Sequence, residues 1–127
     1  MDATQILVLL TLFQIKHFVA DYLLQNYQMV TEKGHYGKAG GIYHSLIHSA
    51  LTFTMLGFFN YFVFPVGFTM AIAIAALEFF IHYHIDWGKM QMSQKFTTKD
   101  KAFWNWIGFD QLLHHVTYIG FAWILIN

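Results

Sequence analysis

Four long stretches of mainly apolar residues occupy most of the 127-residue chain, and they constrain its fold more than any other feature. They cover roughly residues 5–24, 42–62, 66–86 and 104–126. Each is close to the about 20 residues that an α-helix needs to cross a hydrocarbon core about 30 Å thick. We therefore predict an all-α integral membrane protein, an antiparallel bundle of four transmembrane helices that forms a single domain over residues 1–127.

The composition supports this prediction and excludes several classes of function. Hydrophobic residues make up 57% of the chain and charged residues 11%, so a soluble helical bundle, the rival fold, would have little polar surface to offer water. The formal net charge is zero, which leaves no basic face for a nucleic acid. The chain contains no cysteine, so disulfides and thiolate metal sites are excluded.

The distribution of lysine predicts the orientation of the helices. Six of the seven lysines lie in the two polar segments 26–41 and 87–103. The positive-inside rule places both segments in the cytoplasm and both termini on the opposite side. Because segment 26–41 contains four glycines, we predict a flexible loop without helix, and we expect 87–103 to lie along the headgroup boundary. The only proline, Pro65, predicts a tight turn over residues 60–66.

Each predicted helix carries ionisable residues at four-residue intervals, a spacing that places them on one helical face. In antiparallel helices, residues near the end of one helix lie beside residues near the start of the next. The ionisable residues lie near the end of the first and third helices and near the start of the second and fourth. They should therefore gather at one depth, near the lysine-rich side. These residues are His17 and Asp21, then His44 and His48, then Glu78, His82 and Asp86, and finally Asp110 and His114.

A charged group in the middle of a membrane costs about 2.5 to 3.5 kcal/mol, so these side chains should face one another rather than lipid. Imidazoles beside carboxylates are typical ligands of zinc, which we expect here as one or two ions, with manganese and iron as alternatives. A purely structural or proton-relaying hydrogen-bond network between helices is the other interpretation. We assign metal binding to His17, Asp21, His44, His48, His82, Asp86 and His114, and the role of catalytic base to Glu78 or Asp110.

Three polar residues lie near the predicted cytoplasmic mouth of this cluster: Gln25, Lys33 and Lys89. We predict that they bind a headgroup or phosphate of a substrate, although lysines that extend to the membrane surface would explain them equally. Lys16 lies deeper, and we expect it to pair with a carboxylate such as Asp21 or to reach the headgroups.

The motifs KHFVADYLLQ, HSLIHS, EFFIHYHIDW and DQLLH, which begin at Lys16, His44, Glu78 and Asp110, together resemble a family of small bacterial and phage membrane proteins known as domain of unknown function 3307. The resemblance implies a multi-pass protein of the bacterial inner membrane. More distantly, the stripes of His and Asp resemble those of inner-membrane proteins described as metal-dependent hydrolases. This second resemblance implies a reaction class by analogy.

These observations lead to three hypotheses of function. The first is a metal-dependent hydrolase that acts on a lipid or lipid-linked substrate from the cytoplasmic leaflet. The second is a carrier or channel for protons or metal ions that uses the same cluster as a relay. The third is a haem protein with His48 and His114 as axial ligands, which the surrounding carboxylates disfavour. The lipid bilayer is the expected partner, and the polar core of four short spans favours self-association.

Overall fold

A computed structural model describes all residues from Met1 to Asn127 and contains only helices. The chain forms five α-helices and one π-helical turn, which follows α1 directly. Their bounds are α1 Ala3–Phe18, the π-helical turn Val19–Leu23, α2 Tyr27–Glu32, α3 Ala39–Phe62, α4 Phe68–Ser93 and α5 Lys101–Ile126.

Local polar contacts explain where several helices begin. Asp2 caps α1 by accepting a hydrogen bond from the Gln5 amide, and the Gln5 side chain accepts one from the Asp2 amide, which is a reciprocal capping box. In the turn between α3 and α4, the Asn60 side chain accepts hydrogen bonds from the amides of Val66 and Gly67 at 2.8 and 3.0 Å. Gly67 has a φ of 81°, a conformation that favours glycine. The tight turn predicted around Pro65 is therefore present.

The prediction of a helix-free loop over residues 26–41 is wrong, because this segment contains α2 and the first turn of α3. Asn26 caps α2 by accepting from the Met29 amide, and the buried Met29 side chain anchors it. The non-helical connection between α4 and α5 is also shorter than the predicted polar segment 87–103, because α4 continues as far as Ser93. The four glycines of segment 26–41 do not prevent α2, because Asn26 supplies an N-cap and the glycines lie outside both helices or at the start of α3.

The four long helices pack in a ring, in which α1 contacts α3 and α5, and α4 contacts the same two helices. The core has two levels. One level is apolar and holds Leu9, Phe13, Leu56, Phe59 and Phe121 together with their buried neighbours. The other level contains most of the buried ionisable side chains. The helices therefore enclose a polar interior above an apolar one.

The surface is largely apolar. Thirty large hydrophobic side chains are exposed, and 24 of them lie on the four long helices. Two segments, Ala3–Leu23 and Phe68–Ser93, are long and apolar enough to cross a membrane. The chain is thus all-helical with two such candidate segments, and α3 and α5 are of comparable length at 24 and 26 residues.

Candidate metal centre

The π-helical turn at the end of α1 brings Asp21 into the interior of the bundle. Such turns occur frequently at functional sites because they displace a side chain from its regular helical position. One Asp21 oxygen lies 2.9 Å from His48 Nε2 and 3.2 Å from His44 Nε2, and the other lies 3.1 Å from His17 Nε2. A single carboxylate thus meets three imidazoles.

Asp21 belongs to a first group of ligand atoms, which also includes His44, His48 and His82 and whose atoms all lie within 4.8 Å of one another. His82 Nε2 is 3.2 Å from His44 Nε2. Ligand atoms about 3.3 to 3.6 Å apart correspond to a tetrahedral ion with bonds of about 2.0 to 2.2 Å, as zinc has. The distances of 2.9 and 3.2 Å in the first group are slightly shorter than this, so the group has the composition of a divalent cation site and its side chains would separate by a few tenths of an ångström to hold the ion.

A second group contains His82, Asp86 and His114, again within 4.8 Å of one another. Asp86 lies 3.2 Å from His44, 3.6 Å from His82 and 3.5 Å from His114, measured between carboxylate oxygens and Nε2 atoms. Asp110 Oδ1 is also 3.5 Å from His114 Nε2. His82 is common to both groups, so the two sites are adjacent.

The imidazoles of His48, His82 and His114 form a stack across three helices. Ring centroids are 3.6 Å apart for His48 and His82 and 4.1 Å apart for His82 and His114. The interplanar angles are 29° and 28°, so the three rings hold one another in similar orientations across the core.

Several polar atoms in this region are buried without a hydrogen-bond partner in the protein. His114 Nε2 and Asp110 Oδ1 face each other across 3.5 Å without forming a hydrogen bond, although each is buried. A buried polar atom without a partner costs about 1 to 3 kcal/mol, so such atoms are rare unless a ligand satisfies them. The other partnerless atoms of the cluster are His44 Nδ1, Glu78 Oε2 and His82 Nδ1.

Behind the first group, Glu78 is buried beside His48 and forms an ion pair with Lys16. Glu78 Oε1 is 3.8 Å from His48 Nδ1 and accepts a hydrogen bond from the Tyr118 hydroxyl at 3.3 Å. Lys16 Nζ is the nearer polar atom to His48 Nδ1, at 3.3 Å, so the ion pair of Lys16 and Glu78 lies directly behind this imidazole. The expectation that Lys16 pairs with Asp21 is wrong, since its partner is Glu78.

His17 is engaged through both ring nitrogens. Its Nδ1 lies 2.9 Å from the Tyr118 hydroxyl, and its Nε2 lies 3.0 Å from Gln111 Oε1 and 3.1 Å from Asp21. The structure therefore places His17 beside the first group, in a position to orient Asp21. Tyr118 and Gln111 were not predicted as members of the site, because neither residue type stands out as a ligand in an aromatic-rich chain.

Lys33 covers the mouth of the cluster. Its Nζ lies 3.3 Å from Asp86 and donates to the Gln25 side chain at 3.1 Å. Burial lowers the pKa of Lys33, but the nearby carboxylates, Asp86 above all, outweigh it, and the pKa is raised. Lys89 stands apart on α4, and its closest polar contact is Met90 Sδ at 3.9 Å. Of the three predicted mouth residues, Gln25 and Lys33 are thus adjacent and Lys89 is separate.

The convergence predicted from the four-residue spacing is confirmed for the six residues of the two groups. The three remaining histidines of the chain, His35, His84 and His115, are exposed.

A family model described as protein of unknown function (DUF3307) matches residues 9–127. The chain belongs to this family. No curated protein and no solved structure matches this chain. The family match agrees with the family resemblance of the four sequence motifs. It does not assign an activity to the chain.

Proposed function

We propose that this member of the DUF3307 family is a membrane-embedded metalloprotein that binds one or two divalent cations between its four long helices. The observation that carries the proposal is the convergence of imidazoles and carboxylates from all four helices into two adjacent groups of ligand atoms. Zinc suits these nitrogen and oxygen donors, and manganese or iron would also fit them.

The charge of the cluster supports a bound cation. Four buried or half-buried carboxylates, Asp21, Glu78, Asp86 and Asp110, are accompanied by only two lysines, Lys16 and Lys33. With neutral imidazoles, two negative charges remain uncompensated in a low-dielectric interior, which is costly. One divalent cation would neutralise them, and a second would favour binding of an anionic substrate.

Metal analysis of detergent-purified protein tests the proposal. We expect at least one divalent ion per chain in the parent and loss of that ion in His114→Ala. His115→Ala is the matched control, since this neighbouring histidine is exposed and should leave the metal content unchanged. A parent protein without metal, or equal metal content in both variants, would refute the proposed site.

We further propose that all four long helices span the bacterial inner membrane, with the polar level of the core toward the cytoplasm. The apolar surface of the four helices supports this arrangement, as do the polar interior and the lysines at one end.

The reaction that we propose is hydrolysis of an ester or phosphoester in a lipid or lipid-linked substrate. A divalent cation in the cluster would acidify a water molecule and stabilise the negative charge that develops on the substrate. The water oxygen forms a bond to the ester carbon or phosphorus, and the bond from that atom to the alcohol oxygen breaks. Asp110 accepts a proton from the water and returns it to the departing alcohol oxygen.

Of the two candidate bases, Asp110 is better placed than Glu78. Asp110 Oδ1 has no hydrogen-bond partner, whereas Glu78 is neutralised by Lys16 behind His48. Loss of a general base lowers rates by about 10²- to 10⁴-fold. We expect Asp110→Asn to hydrolyse phosphatidylglycerol in vesicles more slowly by this factor, while its metal content stays unchanged. Loss of the metal itself in this variant would instead identify Asp110 as a ligand.

A further inference from the structure

A groove with a volume of about 800 Å³ lies between α4 and α5 and opens on the outer surface of the bundle. Most of the side chains that line it are hydrophobic, among them Phe80, Ile85, Phe109 and Leu113. Its volume falls within the about 300 to 1,000 Å³ typical of small-molecule sites.

The groove reaches the metal cluster through Asp110. This residue lines the groove, yet it is only 5% exposed, and its partnerless Oδ1 lies 3.5 Å from His114 Nε2. A molecule in the groove would therefore contact Asp110, which in turn lies beside His114 of the second group. Asp110 thus separates the apolar outer surface from the polar interior.

One cation lies on the wall of the groove. Lys89 is half-buried there and forms no ion pair with a carboxylate, unlike Lys16 and Lys33. Trp87 and Trp106 line the same groove, and indoles of this kind are common where a hydrocarbon core meets the headgroup layer. The groove therefore combines mainly apolar walls with a positive charge that no carboxylate neutralises.

We propose that this groove binds one hydrocarbon chain of a phospholipid and that Lys89 on its wall binds the phosphate. The proposal rests on the proposed function and names its substrate class. A hydrocarbon chain needs no hydrogen bonds, and the groove walls belong to two helices whose backbone groups are largely satisfied internally. An extended peptide in the groove would leave its own backbone groups without partners.

The glycines of the chain provide a blocking variant with a matched control. Gly88 lines the groove, and a Cβ atom there would meet no other atom within 4 Å, so Gly88→Phe should fill the groove without disturbing the fold. Gly57 lies on α3 outside the groove, and a Cβ there also meets nothing within 4 Å. Gly57→Phe therefore adds the same side chain to an open helical surface elsewhere.

The experiment uses phosphatidylglycerol with a photoreactive diazirine on one acyl chain, incorporated into vesicles that contain the full-length protein. We expect the parent and Gly57→Phe to be labelled mainly on the groove walls in α4 and α5. Gly88→Phe should show about tenfold less labelling there. Uniform labelling of all four helices, or equal labelling of the two variants, would overturn the proposal, because it would mean that only bulk lipid contacts the chain.

A second probe tests the phosphate contact. Diacylglycerol with the same diazirine chain lacks the phosphate, and we expect it to label the groove about tenfold more weakly than phosphatidylglycerol in the parent. Lys89→Gln should reduce this difference, and an undiminished difference would refute the role of Lys89.

Metal content is measured on the same samples. Groove labelling in a protein without metal would refute the metalloprotein proposal alone, whereas full metal content without groove labelling would refute the groove alone.

Discussion

Two aspartates connect most of the histidines of the cluster. Asp21 contacts His17, His44 and His48, and Asp86 contacts His44, His82 and His114. His44 lies between the two carboxylates, 3.2 Å from each. Because each aspartate touches several imidazoles, removal of either charge should affect the whole cluster.

Asp21→Asn and Asp86→Asn test this expectation with little change in side-chain shape. Each removes an anionic ligand, and we expect each to weaken metal binding by at least the about 10- to 100-fold that loss of a supporting group typically costs. Titration of metal-free protein with zinc measures the affinity. Asp100→Asn, in the exposed turn before α5, should bind zinc like the parent, and an equal loss in that control would indicate a nonspecific effect.

The buried pair of Lys16 and Glu78 should contribute to stability and to metal binding in separable ways. Glu78→Gln leaves the Lys16 charge buried without a partner, which costs about 3 to 5 kcal/mol, and it removes the carboxylate behind His48. We expect a lower thermal unfolding temperature and weaker zinc binding.

The double variant Lys16→Met with Glu78→Gln should recover much of the stability because it removes both charges. Its zinc affinity should remain low, since the cluster still lacks the negative charge of Glu78 near the cation. Recovery of zinc affinity in the double variant would show that Glu78 acts only on stability.

At the scale of single residues, the sequence predicted the members of the cluster better than their contacts. Four-residue spacing determines which face of a helix a side chain occupies, so the residues of the two groups could be named in advance. The rotation of α1 relative to α4 is determined by packing in the apolar level. For this reason the partner of Lys16, and the hydroxyl of Tyr118 between Lys16 and His17, could not be predicted.

Among the elements, α2 has the clearest effect on the site, because Lys33 follows its last residue. The start of α3 approaches α2 closely, and the Gly40 amide donates to the Glu32 side chain at 2.7 Å. A Cβ atom on Gly40 would lie 2.6 Å from the Gln28 carbonyl oxygen. Glycine is therefore required at this position for α2 to hold Lys33 over Asp86.

Gly40→Ala should displace α2 and loosen the contact between Lys33 and Asp86. We expect faster amide hydrogen exchange over Tyr27–Glu32, with little change in α4 and α5. Gly120→Ala is the control, since a Cβ there meets nothing within 4 Å and alanine favours helix by about 1 kcal/mol. Unchanged exchange in α2 of the Gly40 variant would contradict the proposed role of the close approach.

The π-helical turn and α2 were both missed at the sequence level, for different reasons. The π-helical turn adds a residue to a continuous helix, and no residue type in Val19–Leu23 predicts it. For α2, the N-cap residue Asn26 and the apolar residue Met29 are both signals of a helix. The nearby glycines favoured the prediction of a loop instead.

For the whole molecule, hydrophobic segment lengths predicted the all-helical fold and the positions of the four long helices to within a few residues, except where α4 extends to Ser93. The ring order of the helices was not predictable from composition, because apolar stripes of similar character occur on all four. The absence of cysteine makes the membrane orientation directly testable.

Single-cysteine variants test which side of the membrane each end of the bundle faces. Thr98→Cys lies in the exposed turn between α4 and α5, and Asn127→Cys lies at the end of α5. In intact bacterial spheroplasts, a membrane-impermeant maleimide should label Asn127→Cys at once and Thr98→Cys only after lysis. Labelling of both variants before lysis would contradict the proposed topology.

The apolar level of the core has a consequence for the electrical behaviour of a membrane that contains this protein. Beneath the imidazoles, Leu9, Phe13, Leu56, Phe59 and Phe121 close the centre of the bundle, with side chains at most 2% exposed. In the membrane arrangement that we propose, an ion that enters from the lysine-bearing end meets this apolar layer and should leave by the same route. With the four helices across the bilayer, the protein should exchange metal with a single compartment and leave the ion gradients of the cell intact.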